Sequence, residues 1–116
     1  MDLRILSKSF NVESKIRVEV INITYQVRDI ISHEDLKNGL VNVFVKHTTC
    51  GVIINESERG LLSDIMGLLN KMVPYKAGYA HDRIDDNADA HLKAILTGNS
   101  VTVPILNGEL GLGTWQ

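Results

Sequence analysis

Asn107-Gly108 separates two apolar runs, Val101-Thr-Val-Pro-Ile-Leu106 and Glu109-Leu-Gly-Leu112. A two-residue loop only allows the chain to return antiparallel. Asn-Gly is the pair that best tolerates the positive φ angles such a turn demands. This hairpin constrains the fold more than any other feature, because it commits the end of the chain to an antiparallel sheet.

Other segments extend that expectation. Leu3, Ile5 and Phe10 are candidate strand positions in a mixed N-terminal stretch. Ile16 to Ile23 alternates apolar with polar, the pattern of a half-buried strand. Leu40-Val-Asn-Val-Phe-Val45 is rich in β-branched residues and reads as a buried strand, with Gly51-Val-Ile-Ile-Asn55 returning beside it. Three helices are predicted. Thr24 caps the first, which carries Val27, Ile30 and Ile31 on one face and stops at Asn38-Gly39. The second runs from Glu58 to Met72 with a broad apolar face and ends at Val73-Pro74. The third starts at Asp85 or Asp86, runs to about Leu96 and ends at Gly98. Strands and helices in this order predict an α+β fold with a largely antiparallel sheet and two to three helices. With 116 residues, the chain is read as a single domain over 1–116. Thr114-Trp115-Gln116 reads as the interior of a strand, so the domain is expected to lack a closing segment.

The net charge of −2 gives no basic footprint for nonspecific nucleic-acid binding, so no nucleic-acid partner is expected. No apolar run reaches membrane-spanning length and no signal peptide is evident, so no membrane partner and a cytoplasmic location are expected. Cys50 is the single cysteine, which excludes an internal disulfide and a cysteine-rich zinc site.

Chemistry concentrates between His81 and His91, read H-D-R-I-D-D-N-A-D-A-H. These residues hold two of the four histidines, four aspartates and Asn87, with Arg83 as the only cation. Such a density favours binding a cation or moving protons. At about 100° per residue, Ala88, Leu92 and Ile95 share an apolar helix face, with Asn87 and His91 on its rim. Asp85 and Asp86 fit helix caps and site carboxylates equally well, and Asp89, deeper in the helix, fits a cap less well. Asp82 is placed to orient His81. His47-Thr-Thr-Cys-Gly forms a strand-to-strand corner. It either holds a phosphate on His47, Thr48, Thr49 and backbone N–H groups, or is an ordinary turn. Cys50 fits a small packed residue better than a nucleophile. Glu56 fits an acid/base or a carboxylate at a helix start. Lys93 reads as a solvated helix lysine, with a phosphate contact as the alternative. His33 reads as solvent-exposed. His47, His81 and His91 match the count of a three-histidine metal site with one open position, although no local ligand spacing specifies one.

Taken as a set, His47-Thr-Thr-x-Gly-x-x-Ile-Asn-Glu56, Gly78-Tyr-x-His-Asp82, Asn87-Ala-Asp-Ala-His-Leu-Lys93 and Leu112-Gly-Thr-Trp-Gln116 resemble the YjbQ family, also described as secondary thiamine-phosphate synthases. The resemblance implies packed, largely antiparallel β-sheets, a homotrimer, and a polar site near subunit boundaries. It implies thiamine-phosphate synthase activity of the transferase type. That reaction joins a pyrimidine diphosphate to a thiazole phosphate and releases pyrophosphate. The residues carried over receive roles as follows. Glu56, Asn87, Asp89 and His91 are catalytic. Thr48, Thr49, Thr114, Trp115 and Gln116 bind the ligand, Trp115 by stacking or by packing. His47, His81 and His91 hold a divalent metal, zinc or magnesium. The expected partner is a phosphorylated small molecule. Two alternatives stand beside this reading, a non-catalytic ion- or anion-binding trimer and a metal-dependent hydrolase.

Overall fold

The computed structural model describes residues 3–116; Met1 and Asp2 lie outside it. The hairpin forms as expected. Strand β2 (Ser100–Leu106) turns through Asn107 at φ 53° and Gly108 at φ 82° into β3 (Glu109–Leu110). Both angles lie in the left-handed region that a two-residue hairpin turn requires. Strand β1 (Gly39–Phe44) pairs antiparallel with the other edge of β2, giving the order β1-β2-β3. The register sets Val41 opposite Val103 and Val43 opposite Val101. With a side-chain period of two, these residues and Ile105 share the inner face. Leu40, Phe44, Pro104 and Leu106 line the outer face, and between them Asn42 donates to Thr102 Oγ1 at 3.1 Å.

Helix α1 (Thr24–His33) packs against β3 and buries Val27 and Ile31. Asn22 Oδ1 accepts the Thr24 N–H at 3.0 Å and closes its start. The helix ends five residues before Asn38, where the expected stop lay. Asp35 takes φ 50° just past the helix, a conformation aspartate tolerates better than most residues. Helix α2 (Arg59–Met72) starts on Glu58, whose carboxylate accepts the N–H groups of Gly60 and Leu61. No α2 residue is buried; Leu61, Leu62, Ile65, Met66 and Leu69 are only half-covered. Helix α3 (Ala88–Thr97) follows a short 3₁₀ turn over Ala80–Arg83. It starts later than predicted and ends on Gly98 at φ 87°.

Several expected strands are absent. Ile16 to Ile23, Gly51 to Asn55 and the stretch containing Leu3, Ile5 and Phe10 run without ladder pairing. Burial along 51–55 does alternate, with Val52 and Ile54 half-covered. Alternation gives a chain one inward face, but a strand also needs a hydrogen-bonding neighbour, and no residue pattern supplies that. Gly113 to Gln116 form a tight turn instead of a strand interior. The Gln116 N–H donates to Gly113 O, and Gln116 Oε1 accepts the Gly113 N–H at 2.7 Å.

The α+β class therefore stands, among the described residues as a small three-stranded antiparallel sheet with three α-helices. The buried apolar residues are Val27, Ile31, Val73, Ala88, Val103 and Ile105. Leu92 is 38% exposed and Ile95 76%, so the predicted apolar face of α3 opens outward. No helix among the described residues is long and apolar enough to cross a membrane.

Candidate functional site

The 3₁₀ turn brings His81 against the first turns of α3. The His81 and His91 rings meet edge to face with centroids 4.7 Å apart. Asn87, at the N-terminal boundary of α3, contacts His81 Nε2 through Oδ1 at 3.1 Å. A carboxamide oxygen only accepts, so His81 carries its proton on Nε2 and leaves Nδ1 as the basic nitrogen. The two imidazoles open into a cleft of about 270 Å³ walled by Tyr79, Ala80, Ala88 and Leu92. Its walls are apolar and its hydrogen-bonding groups few, the make-up of a small-molecule site.

The aspartates divide the structural work. Asp82 Oδ1 accepts the Ala88 N–H at 3.1 Å and caps α3, so it does not orient His81 as expected. Asp85 Oδ1 accepts only the next N–H, that of Asp86, and neither of these residues caps the helix. Asp89 is fully buried. Arg17 grips it with two bonds, Nη1 to Oδ2 at 3.0 Å and Nη2 to Oδ1 at 2.5 Å. Lys93, one turn along α3, adds a bond to Oδ2 at 2.7 Å. The Arg17 hydrogen bonds, joined by Lys93, hold the Asp89 carboxyl far below the usual carboxylate range against the opposing effect of burial. Asp89 is thus an ion-paired anchor with both oxygens engaged. Lys93 is buried with it and is not the solvated lysine its sequence context suggested. Arg17 stacks its guanidinium over Tyr75, 3.7 Å from the ring centroid. Arg17 and Tyr75 escaped the sequence reading. The spacing of Asp89 and Lys93 was a usable signal, since residues four apart on a helix meet, but no local pattern links Arg17 to a residue 72 positions away.

The other predicted site residues do not line this cleft. His47, Thr48, Thr49 and Cys50 are exposed on a turn closed by the Cys50 N–H on His47 O. That turn lies at the far end of α3. Val45 N–H donates to Asn99 O, Val52 N–H donates to Gly98 O, and a Cβ on Gly51 would overlap Thr97 Oγ1. His47 thus comes beside the last turn of α3 while His91 occupies the first. Glu56 is half-buried, with its N–H held by Asn55 Oδ1 at 2.8 Å. Thr114, Trp115 and Gln116 are exposed, Trp115 at 72%. The structure therefore joins His81, Asn87 and His91, anchors Asp89 behind them, and places the turn of His47, Thr48 and Thr49 at the other end of α3.

A small α+β domain with a paired-histidine cleft at a helix start is the class of protein these features define. The sequence matches the UPF0047 protein YjbQ-like family over residues 8–116, and the chain belongs to that family. It is 58% identical over 100 residues to a UPF0047 protein of Archaeoglobus fulgidus, covering 86% of this chain and 77% of that one. It is 50% identical over 100 residues to a UPF0047 protein of Methanothermobacter thermautotrophicus, covering 86% and 70%. A hypothetical protein from Aeropyrum pernix superposes with a TM-score of 0.89 at 36% identity, covering 92% of this chain and 80% of that one. A YbjQ-like protein of unknown function from Sulfolobus solfataricus gives 0.87 at 38%, covering 90% and 76%.

These findings correct the functional expectation. The relatives are named only as UPF0047 proteins or as proteins of unknown function, and none of those names carries a thiamine-phosphate synthase or transferase activity. The metal centre on His47, His81 and His91 is overturned as well. Among the described residues no three histidine, cysteine, aspartate or glutamate side chains are grouped to hold a metal ion. The reason is the separation of His47 from the other two along α3. The metal-dependent hydrolase and the cation-binding form of the trimer leaned on the same cluster and fall with it.

Proposed function

We propose that the His81–His91 cleft is the binding site of a phosphorylated organic molecule and that the chain works as a homotrimer. The observation that carries the first part is the edge-to-face imidazole pair with His81 Nε2 held by Asn87. That bond engages one ring nitrogen of His81 and leaves the other for a ligand. Imidazole offers one hydrogen-bond donor and one acceptor, and a phosphate ester offers several acceptor oxygens. The pair thus suits a phosphate group as hydrogen-bond partner. The apolar walls of Tyr79, Ala88 and Leu92 suit the organic part of the ligand.

Surface and shape support the assembly. The radius of gyration is 16.6 Å, against about 13 Å for a globular domain of this length. The accessible surface is 8911 Å², whereas a folded monomer of this mass exposes roughly 6,300 Å². Exposed apolar side chains line the N-terminal stretch (Leu3, Ile5, Ile16), the outer face of the sheet (Leu40, Phe44, Leu106) and α3 (Ile95, Leu96). Copies of the same chain are the occupants we assign to these faces.

Titrating the protein with glycerol 3-phosphate, and separately with glycerol, tests the site. The ring resonances of His81 and His91 are expected to move with the phosphate ester alone. Equal response to both compounds, or to neither, refutes the ligand class. Sedimentation at micromolar concentration tests the trimer, and a stable monomer refutes it.

A further inference from the structure

We infer that Arg17 is a positioning residue of the His81–His91 cleft, acting through Asp89 and the backbone of Asp86 on Asn87. The inference rests on the reading of that cleft as the binding site, and it adds a residue from a remote part of the chain. Arg17 Nη1 and Nη2 clasp the two oxygens of Asp89, and Nη2 also donates to Asp86 O at 3.4 Å. Those two acceptors flank Asn87, the residue that engages His81 Nε2. His91 lies two residues beyond Asp89 on the same helix. One guanidinium thus bridges the segment that supplies both the Asn87 carboxamide and the second imidazole.

A purely structural origin for this cluster is the weaker account. Burying a carboxylate with two cations costs several times more desolvation than burying apolar groups of similar volume, and such clusters are commonly replaceable by apolar residues without loss of stability. Asp89 is nonetheless fully buried, and it stands beside the cleft. A planar fork gripping two oxygens fixes orientation as well as distance, which a lysine in the same place does not. The guanidinium is itself held from the other side by the Tyr75 ring, and Lys76 approaches that ring at 5.2 Å. The orientation therefore passes from the Tyr75 loop through Arg17 to the start of α3.

The test uses the full chain and Arg17→Lys, which keeps the charge and removes the fork, with Lys37→Met at an exposed ion pair as control. The first readout is the His81 Nε2 proton resonance, which reports the bond to Asn87 without any ligand. The second is affinity for glycerol 3-phosphate. The expected result is a folded Arg17→Lys protein whose Nε2 proton exchanges at least tenfold faster and whose affinity drops about tenfold, with the control unchanged. If Arg17→Lys fails to fold, the triple variant Arg17→Met, Asp89→Leu, Lys93→Met removes all three charges and is expected to fold with the same faster exchange. Wild-type exchange in whichever variant folds, or failure of both to fold, overturns the proposal. A wild-type protein that binds no phosphate ester, but whose Nε2 proton depends on Arg17, refutes the ligand class and leaves the positioning role standing.

Discussion

The inner face of the sheet and the start of α3 are held together by opposite means. Beneath the sheet, Val27, Ile31, Val103 and Ile105 bury apolar surface, a force without direction. Behind the histidines, Asp89 is gripped by Arg17 and Lys93 through bonds that each demand an angle and a partner. The first region tolerates a change of shape within its volume. The second tolerates almost none, because any lost partner leaves a buried charge. Precision is thus concentrated where two imidazoles must hold one geometry, and cohesion is left to the sheet.

Breaking the charged region gives the largest effect. Asp89→Ala leaves the buried Lys93 ammonium without its partner and Arg17 without its anchor, and is expected to cost about 3–5 kcal/mol, read by urea denaturation. Ile105→Ala opens a cavity in the apolar region at about 2–5 kcal/mol. The two are separated by pH. Because the folded pKa of Asp89 is depressed, its stabilisation is fully present above the ordinary carboxylate pKa and is lost as pH falls from there toward the folded value. Unfolding free energies measured at descending pH should therefore fall more steeply for wild type than for Asp89→Asn, while Ile105→Ala keeps the wild-type slope. Equal slopes for wild type and Asp89→Asn would remove the charged anchor from the account. Gly108→Ala forces a side chain into a left-handed turn at about 1–2 kcal/mol, visible as a lowered melting temperature. Lys37→Met, at an exposed pair with Asp35, should change stability by less than about 0.5 kcal/mol.

The same contrast explains what could be read from the sequence. The hairpin was legible because two residues encode it locally. The three helices were legible from their apolar spacing, with boundaries shifted by side-chain caps. Asp82 reaches Ala88 across five intervening residues, so the start of α3 fell later than Asp85 or Asp86 suggested. Strand assignments failed where a segment alternates but finds no neighbour, as at Ile16 to Ile23. Within the site, His81 and His91 share one motif and do meet, whereas His47 was joined to them by residue type alone. Arg17 was invisible for the opposite reason. Its partner is 72 residues away, and an arginine in an alternating stretch carries no mark of what it will hold.

The hairpin turn has a consequence for the lifetime of the chain. A glycine after asparagine is the sequence in which the backbone nitrogen most readily attacks the neighbouring carboxamide, since no Cβ stands in the way. In the folded protein that nitrogen is occupied. Gly108 N–H donates to Lys37 O at 2.8 Å, and the adjacent Asn107 N–H points to Asn38 Oδ1 at 3.4 Å. Deamidation at Asn107 should therefore be slow while the turn is closed and fast in the unfolded chain, so the fraction of aspartate found at this position acts as a chemical clock of time spent unfolded.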